Sequence, residues 1–229
     1  MHVQPLEKIV VETGENPRTS IIWLHGLGAD GHDFEPIVPE LGLADDLPVR
    51  FIFPSAPPIP VTLNGGYIMP AWYDIRQSDF GIEHDAAGVA RSARQIQMLI
   101  EQQQMRGIVP ERVILAGFSQ GGAMALYCGL RQPKPLAGIM ALSAYLLLPG
   151  NMEAEIKKDT RSMPIFMAHG VKDPVVPVAL GDTAHRRLED LGYAVSWHTY
   201  PMEHQVCPEE ISEVGRWISD ILHQECCQT

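Results

Sequence analysis

The sequence predicts an α/β fold with a mostly parallel central sheet and helices on both faces. Short β-branched runs alternate with helical patterns along the chain, the signature of stacked βαβ units. Apolar residues make up 45% of the 229, enough for a buried core, while charged residues at 20% are too few for a disordered chain. No repeat, low-complexity tract or linker-like shift divides the sequence, so one domain over residues 1–229 is expected.

The elements follow in order. Ser20 to Leu24, Val49 to Phe53, Arg112 to Ala116, Leu136 to Leu142, Pro164 to Ala168 and Ala194 to Tyr200 read as strands. Ala86, Val89, Ala93, Ile96 and Ile100 recur at steps of three and four, a helical stripe that ends near Gly107. A second helix runs from Ala179 to Leu191 and stops at Gly192. The last begins at Pro208, carries Glu209 and Glu210 in its first turn, and buries Ile211, Val214, Ile218 and Leu222. Pro54 to Phe80 breaks the rhythm with prolines, the pair Gly65-Gly66 and large apolar residues. A loop of that length is expected to cover a binding site, with Gly65-Gly66 loosening it.

Composition excludes several classes. A formal net charge of −11 argues against nucleic acid or an anionic membrane as main partner. The start, MHVQPLEKIV, has no basic residues leading into an apolar stretch, so no secretory signal is expected. The most apolar run, Leu136 to Pro149, is too short for a membrane span. Cys128, Cys207, Cys226 and Cys227 lack ligand-like spacing and read as free thiols of a reducing, cytoplasmic setting. The ending C-C-Q-T lacks the aliphatic middle residues of a prenylation signal. No His/Glu cluster suggests a metal.

The chemistry is carried by "RVILAGFSQGGAMAL". Gly117-Phe118-Ser119-Gln120-Gly121 is G-x-S-x-G, a pattern that ten serines and twenty glycines would produce by chance about 0.08 times. It stands between an apolar strand and a tightly packed helix start. A nucleophilic serine needs that sharp turn, with glycines two before and two after it to avoid clashes. Such a serine also needs a base and an orienting acid, in the order Ser, Asp/Glu, His for this architecture. Asp173 follows a strand in "PIFMAHGVKDPVVP", and His204 lies between the last strand and last helix in "YPMEHQVCPEE". Both fall at the sheet edge that carries Ser119. His169, His185 and His198 read as packing or surface residues, and Asp182 and Asp190 as a solvated helix face.

An earlier motif has two readings. Gly26-Leu27-Gly28-Ala29-Asp30-Gly31 spells G-x-G-x-x-G, which would make the chain a nicotinamide oxidoreductase. Asp30, Asp33 and Glu35 would repel a pyrophosphate there, and no acidic residue ends the second strand. The alternative asks only that a backbone N–H face Ser119. Gly26 and Gly28 permit this around Leu27, with the N–H of Gln120 as second donor.

"HGLGADG", "PVTLNGGYIMPAWYD", "GFSQGGA", "HGVKDPVVP" and "EHQVCPEE" together resemble the successive motifs of the carboxylesterase and acyl-protein thioesterase family of α/β-hydrolases, the phospholipase/carboxylesterase family. The resemblance spans roughly residues 20 to 222. It implies Ser119 as nucleophile, Asp173 as orienter, His204 as base, Leu27 and Gln120 as amide donors, and Met69, Trp72 and Tyr73 as walls of an acyl site. The activity it implies is hydrolysis of carboxylic esters or acyl thioesters of short to medium chain, with an acyl-protein thioesterase or lysophospholipase as alternative main activity. A non-catalytic binding module would normally lack a triad member, and none is missing. No cofactor is expected. The partners expected are a small ester or acylated substrate and, through an apolar patch at Ile68, Met69, Trp72 and Tyr73, a second copy in a homodimer.

Overall fold

The computed structural model describes residues 4–44, 46–76 and 85–226. Its central sheet has seven strands: β1 (Lys8–Glu12), β2 (Thr19–Leu24), β3 (Val49–Pro54), β6 (Val113–Phe118), β7 (Gly138–Leu142), β8 (Ile165–Gly170) and β9 (Val195–Tyr200). Between β3 and β6 come a hairpin, β4 (Pro58–Val61) and β5 (Tyr67–Pro70), and helix α1 (Ala86–Met105). The remaining helices are α2 (Gln120–Gly129), the short α3 (Met152–Glu155), α4 (Val178–Asp190) and α5 (Pro208–Cys226). Spatial order is β1-β3-β2-β6-β7-β8-β9, and every pair is parallel except β1 with β3.

Strands β2, β3, β7 and β8 are buried along their whole length because helices cover both faces of the sheet. Their side chains alternate between two cores. Ile22, Leu24, Leu115, Ile139 and Met167 face a cluster with Val89, Ile96 and Ile100 of α1, Met124 of α2 and Leu188 of α4. Ile21, Trp23, Phe51, Phe53, Ile114 and Phe166 face the other side, where α5 lays down Val214, Ile218 and Leu222 beside Phe34, Val38 and Leu41. Strand order reverses between β2 and β6: the chain leaves β3 on one side of β2 and returns as β6 on the other. Loops after β2 and β6 diverge there and open a crevice at the carboxyl ends of the strands. Gly26 to Gly28 and Ser119 flank it.

All six expected strands, the three expected stripe helices and the helix expected after Ser119 are present, with ends shifted by at most two residues. Two features departed from expectation. β1 was not anticipated, because "KIVVE" is a half-exposed antiparallel edge whose pattern is brief and charged at both ends. The stretch from Pro54 onward contains a paired hairpin, with Ile59 opposite Met69 and Val61 opposite Tyr67. Gly65 and Gly66, at φ 65° and 82°, close its turn and donate to the carbonyls of Thr62 and Val61, so they shape the hairpin rather than loosen it. The apolar patch is also smaller than expected: Trp72 and Tyr73 are buried, and Leu63, Tyr67 and Ile68 are the exposed apolar residues of the hairpin. Residues 77–80 of the expected loop and the thiols of Cys226 and Cys227 lie outside the described residues. Cys128 and Cys207 are free, and no described helix is long and apolar enough to cross a membrane.

The start of α5 carries an electrostatic cost. Glu210 is fully buried, and neither carboxyl oxygen is hydrogen-bonded among the described residues. Burial pushes its pKa up to about 8, against a weaker downward pull from the Cys207 backbone. The folded chain therefore holds a proton that the unfolded chain releases near the ordinary glutamate value. Stability from this group is full below that value and is lost as pH rises toward about 8. Glu210→Gln keeps the shape and removes the ionisation. Its thermal midpoint should exceed the parent's by several degrees near about pH 8, and the difference should shrink toward about pH 4.5. Equal midpoints across that range, followed by circular dichroism, would show that the fold accepts the ionised carboxylate.

Candidate active site

Ser119 sits between β6 and α2 with φ 53° and ψ −118°, a conformation that L-residues rarely adopt. The surroundings hold it there. Its N–H donates to Leu142 O at 2.8 Å, and its carbonyl accepts from Ala123 N–H at 3.0 Å. The two flanking glycines are required by close approach: a Cβ on Gly117 would lie 2.3 Å from the Gly121 carbonyl carbon, and one on Gly121 would lie 2.2 Å from Leu24 O. The turn is thus pressed against the end of β2 while the serine side chain points out over the sheet edge. Gln120 begins α2, so its N–H lacks an intrahelical acceptor and lies at the positive end of the helix.

The three residues expected to work together meet. His204 Nε2 lies 2.9 Å from Ser119 Oγ, and His204 Nδ1 lies 2.6 Å from Asp173 Oδ2. The tight turn after β8 fixes the acid. Asp173 Oδ1 accepts the N–H groups of Val175 and Val176, both at 2.8 Å, which leaves Oδ2 free for the histidine. With Nδ1–H donating to that carboxylate, the Nε2 lone pair faces the serine hydroxyl. The Phe118 ring, 4.8 Å from the imidazole between centroids, packs against it. Buried His169 donates from Nε2 to Val176 O at 2.8 Å; burial depresses its pKa, and it braces the acid turn in neutral form.

Leu27 lies in the loop after β2, across the crevice from Ser119. That loop is held on two sides. Gly28, at φ 79°, donates its N–H to Pro70 O of the hairpin at 2.9 Å. His25 accepts the Ala56 N–H on Nε2 at 2.9 Å and donates from Nδ1 to Gly26 O at 2.7 Å, which fixes a neutral imidazole in one tautomer. Burial lowers the His25 pKa in keeping with this role. His25 is not among the residues that the sequence assigns to the site. Its signal was present, as the buried histidine that ends the apolar run before Gly26.

The Gln120 side chain reaches the covering segment as well. Its Oε1 accepts from Trp72 N–H and its Nε2 donates to Tyr73 O, both at 2.8 Å. Trp72 Nε1–H donates to His25 O at 2.9 Å, and Tyr73 and Tyr145 hydroxyls share a hydrogen bond of 2.7 Å. These contacts correct the expected acyl walls. Trp72 and Tyr73 are 0% and 1% exposed and stand behind the cavity surface rather than on it. Met69 instead abuts Gly28, its sulfur 3.5 Å from where a Cβ there would lie. A cavity of about 310 Å³ opens over Ser119, and its apolar half is lined by Leu63, Ile75, Tyr145, Val175 and Val176. The valine pair was legible in "DPVVP", directly after the acid. Tyr145, beyond the end of β7, gave no local signal.

The arrangement can remove a proton from a hydroxyl and pass it to a leaving group. No group of acidic residues, histidines and cysteines able to hold a metal occurs among the described residues. Residues 6–222 match the family model described as Phospholipase/Carboxylesterase. Acyl-protein thioesterase 1 of Gibberella zeae is 40% identical over 220 residues, covering 92% of this chain and 93% of that protein. The enzyme of the same name from Neurospora crassa is 41% identical over 212 residues, covering 89% of this chain and 86% of its own. Among solved structures, Arabidopsis thaliana SOBER1 superposes with a TM-score of 0.84 at 31% identity, covering 89% of this chain and 99% of that one. The chain belongs to the phospholipase/carboxylesterase family.

Proposed function

We propose that the protein hydrolyses carboxylic esters and acyl thioesters through an acyl-enzyme on Ser119. The observation that carries this reading is the continuous relay from Asp173 through His204 to Ser119, at 2.6 and 2.9 Å. His204 takes the Ser119 proton as Oγ attacks the acyl carbonyl carbon, and Asp173 holds the imidazole in the productive tautomer and stabilises the imidazolium. The N–H groups of Leu27 and Gln120 receive the oxygen as it becomes negative. His204 then gives its proton to the departing alcohol or thiol. A water enters, loses a proton to the same nitrogen and attacks the acyl carbon, and Ser119 is released with its proton restored. The relatives named acyl-protein thioesterase support thioesters as substrates beside oxygen esters. Free Cys128 and Cys207 support a reducing, cytoplasmic setting.

The apolar half of the cavity would hold the acyl chain. Each buried methylene is worth about 0.8 kcal/mol, or roughly fourfold in the specificity constant when fully realised. With about 310 Å³ available, the gain from acetyl to longer chains should continue over several methylenes and then stop. Ile75 lines that half, so Ile75→Trp should move the optimum toward shorter chains. Octanoyl hydrolysis should fall relative to acetyl by roughly tenfold or more, the loss expected when two or more buried methylenes are excluded. A p-nitrophenyl ester series read as kcat/KM tests this, and an unchanged chain-length profile would place the acyl chain elsewhere.

Ser119→Ala should lower turnover by roughly 10⁴ to 10⁶ with the fold intact. His204→Ala and Asp173→Asn should each be severe, and their combination far from additive, because the three side chains act as one unit. Steady-state kinetics with matched circular dichroism spectra would check this. Near-parental turnover in Asp173→Asn would require another orienting acid.

A further inference from the structure

The cavity over Ser119 has a second end with different chemistry. Ile75, Tyr145 and Val176 belong to the core under α1, α2 and α4, so the apolar half opens toward that face of the sheet. Phe118 belongs to the opposite core, where its ring lies 5.6 Å from Phe34. Asp33 directly precedes Phe34 and lines the cavity at this end, beside Ala29 and Phe118. Ser119 lines the same cavity. A substrate with its acyl chain against Ile75, Tyr145 and Val176 would leave Asp33, on the other core's side of the same cavity, for its leaving group.

We propose that Asp33 selects substrates whose leaving alcohol or thiol carries a positive charge. The inference rests on the acyl-enzyme reading above, which it extends to the other half of the substrate. Asp33 is the only carboxylate among the described residues that line the cavity, and no lysine or arginine lines it. Its carboxylate forms no ion pair with Lys or Arg among the described residues. Burial is the main influence on the Asp33 carboxyl and raises its pKa; His25 acts against that and Asp30 adds to it. A carboxylate in the field of a second acid gains from a cation brought by the substrate. Asp30 accepts the His32 N–H and Asp33 donates its own N–H to Asp30 O, so the turn fixes Asp33 at the cavity and Asp30 close behind it in the chain. An anionic leaving group meets the same charges with the opposite sign, and the net charge of −11 adds a long-range field that favours approach of cations.

Butyrylcholine and its carbon isostere, the 3,3-dimethylbutyl butyrate, separate charge from shape. For each, kcat/KM is divided by the rate constant of hydroxide-catalysed hydrolysis, which removes the intrinsic difference in leaving-group reactivity. Asp33 is exposed at the rim, so solvent screens the contact and the normalised preference for the choline ester should be about two- to fivefold at low salt. It should fall toward one at roughly 1 M salt. Asp33→Asn should bring the ratio near one, and Asp33→Lys should invert it. A ratio unchanged in both variants would overturn the proposal. If neither ester is hydrolysed by the parent chain, the acyl-enzyme reading fails and this inference fails with it; a parent that hydrolyses both without preference overturns the inference alone.

Discussion

Everything at the site depends on one strained residue. Ser119 is held at φ 53° because β6 runs straight into α2 with no room for side chains at Gly117 or Gly121. A residue in such a conformation costs about 1–3 kcal/mol, and only an over-determined environment sustains it. Here that environment is the sheet itself. Leu142 of β7 accepts the Ser119 N–H, Leu24 of β2 blocks any Cβ on Gly121, and Ala144 would meet one on Gly122 at 2.8 Å. The strain therefore offsets a fixed orientation: the hydroxyl stands clear of the backbone, and the first amide of α2 faces the same space.

The opposing half of the site is tied to that elbow by polar contacts rather than by packing. Gln120 carries two functions in one residue. Its main chain begins α2 directly after the nucleophile, and its side chain makes paired bonds to Trp72 and Tyr73 that mimic one rung of a β-ladder. Trp72 reaches on to His25, His25 to Ala56, and the hairpin returns through Pro70 to Gly28. The loop bearing Leu27 is thus positioned by the nucleophile's own neighbour and by the covering segment together. The side-chain polar atoms of Gln120, Trp72 and His25 in this circuit all have partners, as a preorganised site requires.

Most of the architecture was legible because it follows from periodicity. Strands covered on both faces read as continuous apolar runs, and α1 and α5 read as stripes. The elbow and the triad were legible because their chemistry constrains residue type at fixed local positions: glycines around Ser119, an acid after β8, a histidine after β9. What escaped was set by tertiary contact. The hairpin hides behind Pro58, Pro60 and Pro70, which suit its outer edges but erase the alternation of a strand. Trp72 and Tyr73 were expected as walls from the family resemblance. Their indole N–H, hydroxyl and backbone groups find partners only in the interior, and those partners, His25, Tyr145 and Gln120, are distant in sequence. The cavity over Ser119 is lined from six separate segments of the chain, and most of that lining follows no local pattern.

The central claim is that His204 activates Ser119 and no other nucleophile. Modification by a fluorophosphonate probes this directly, because phosphonylation of the hydroxyl needs the same proton transfer as acylation. Intact mass followed by peptide mapping should find one adduct, on Ser119, formed at least about a thousandfold more slowly in His204→Ala. An adduct on another residue, or an unchanged rate in that variant, would contradict the account.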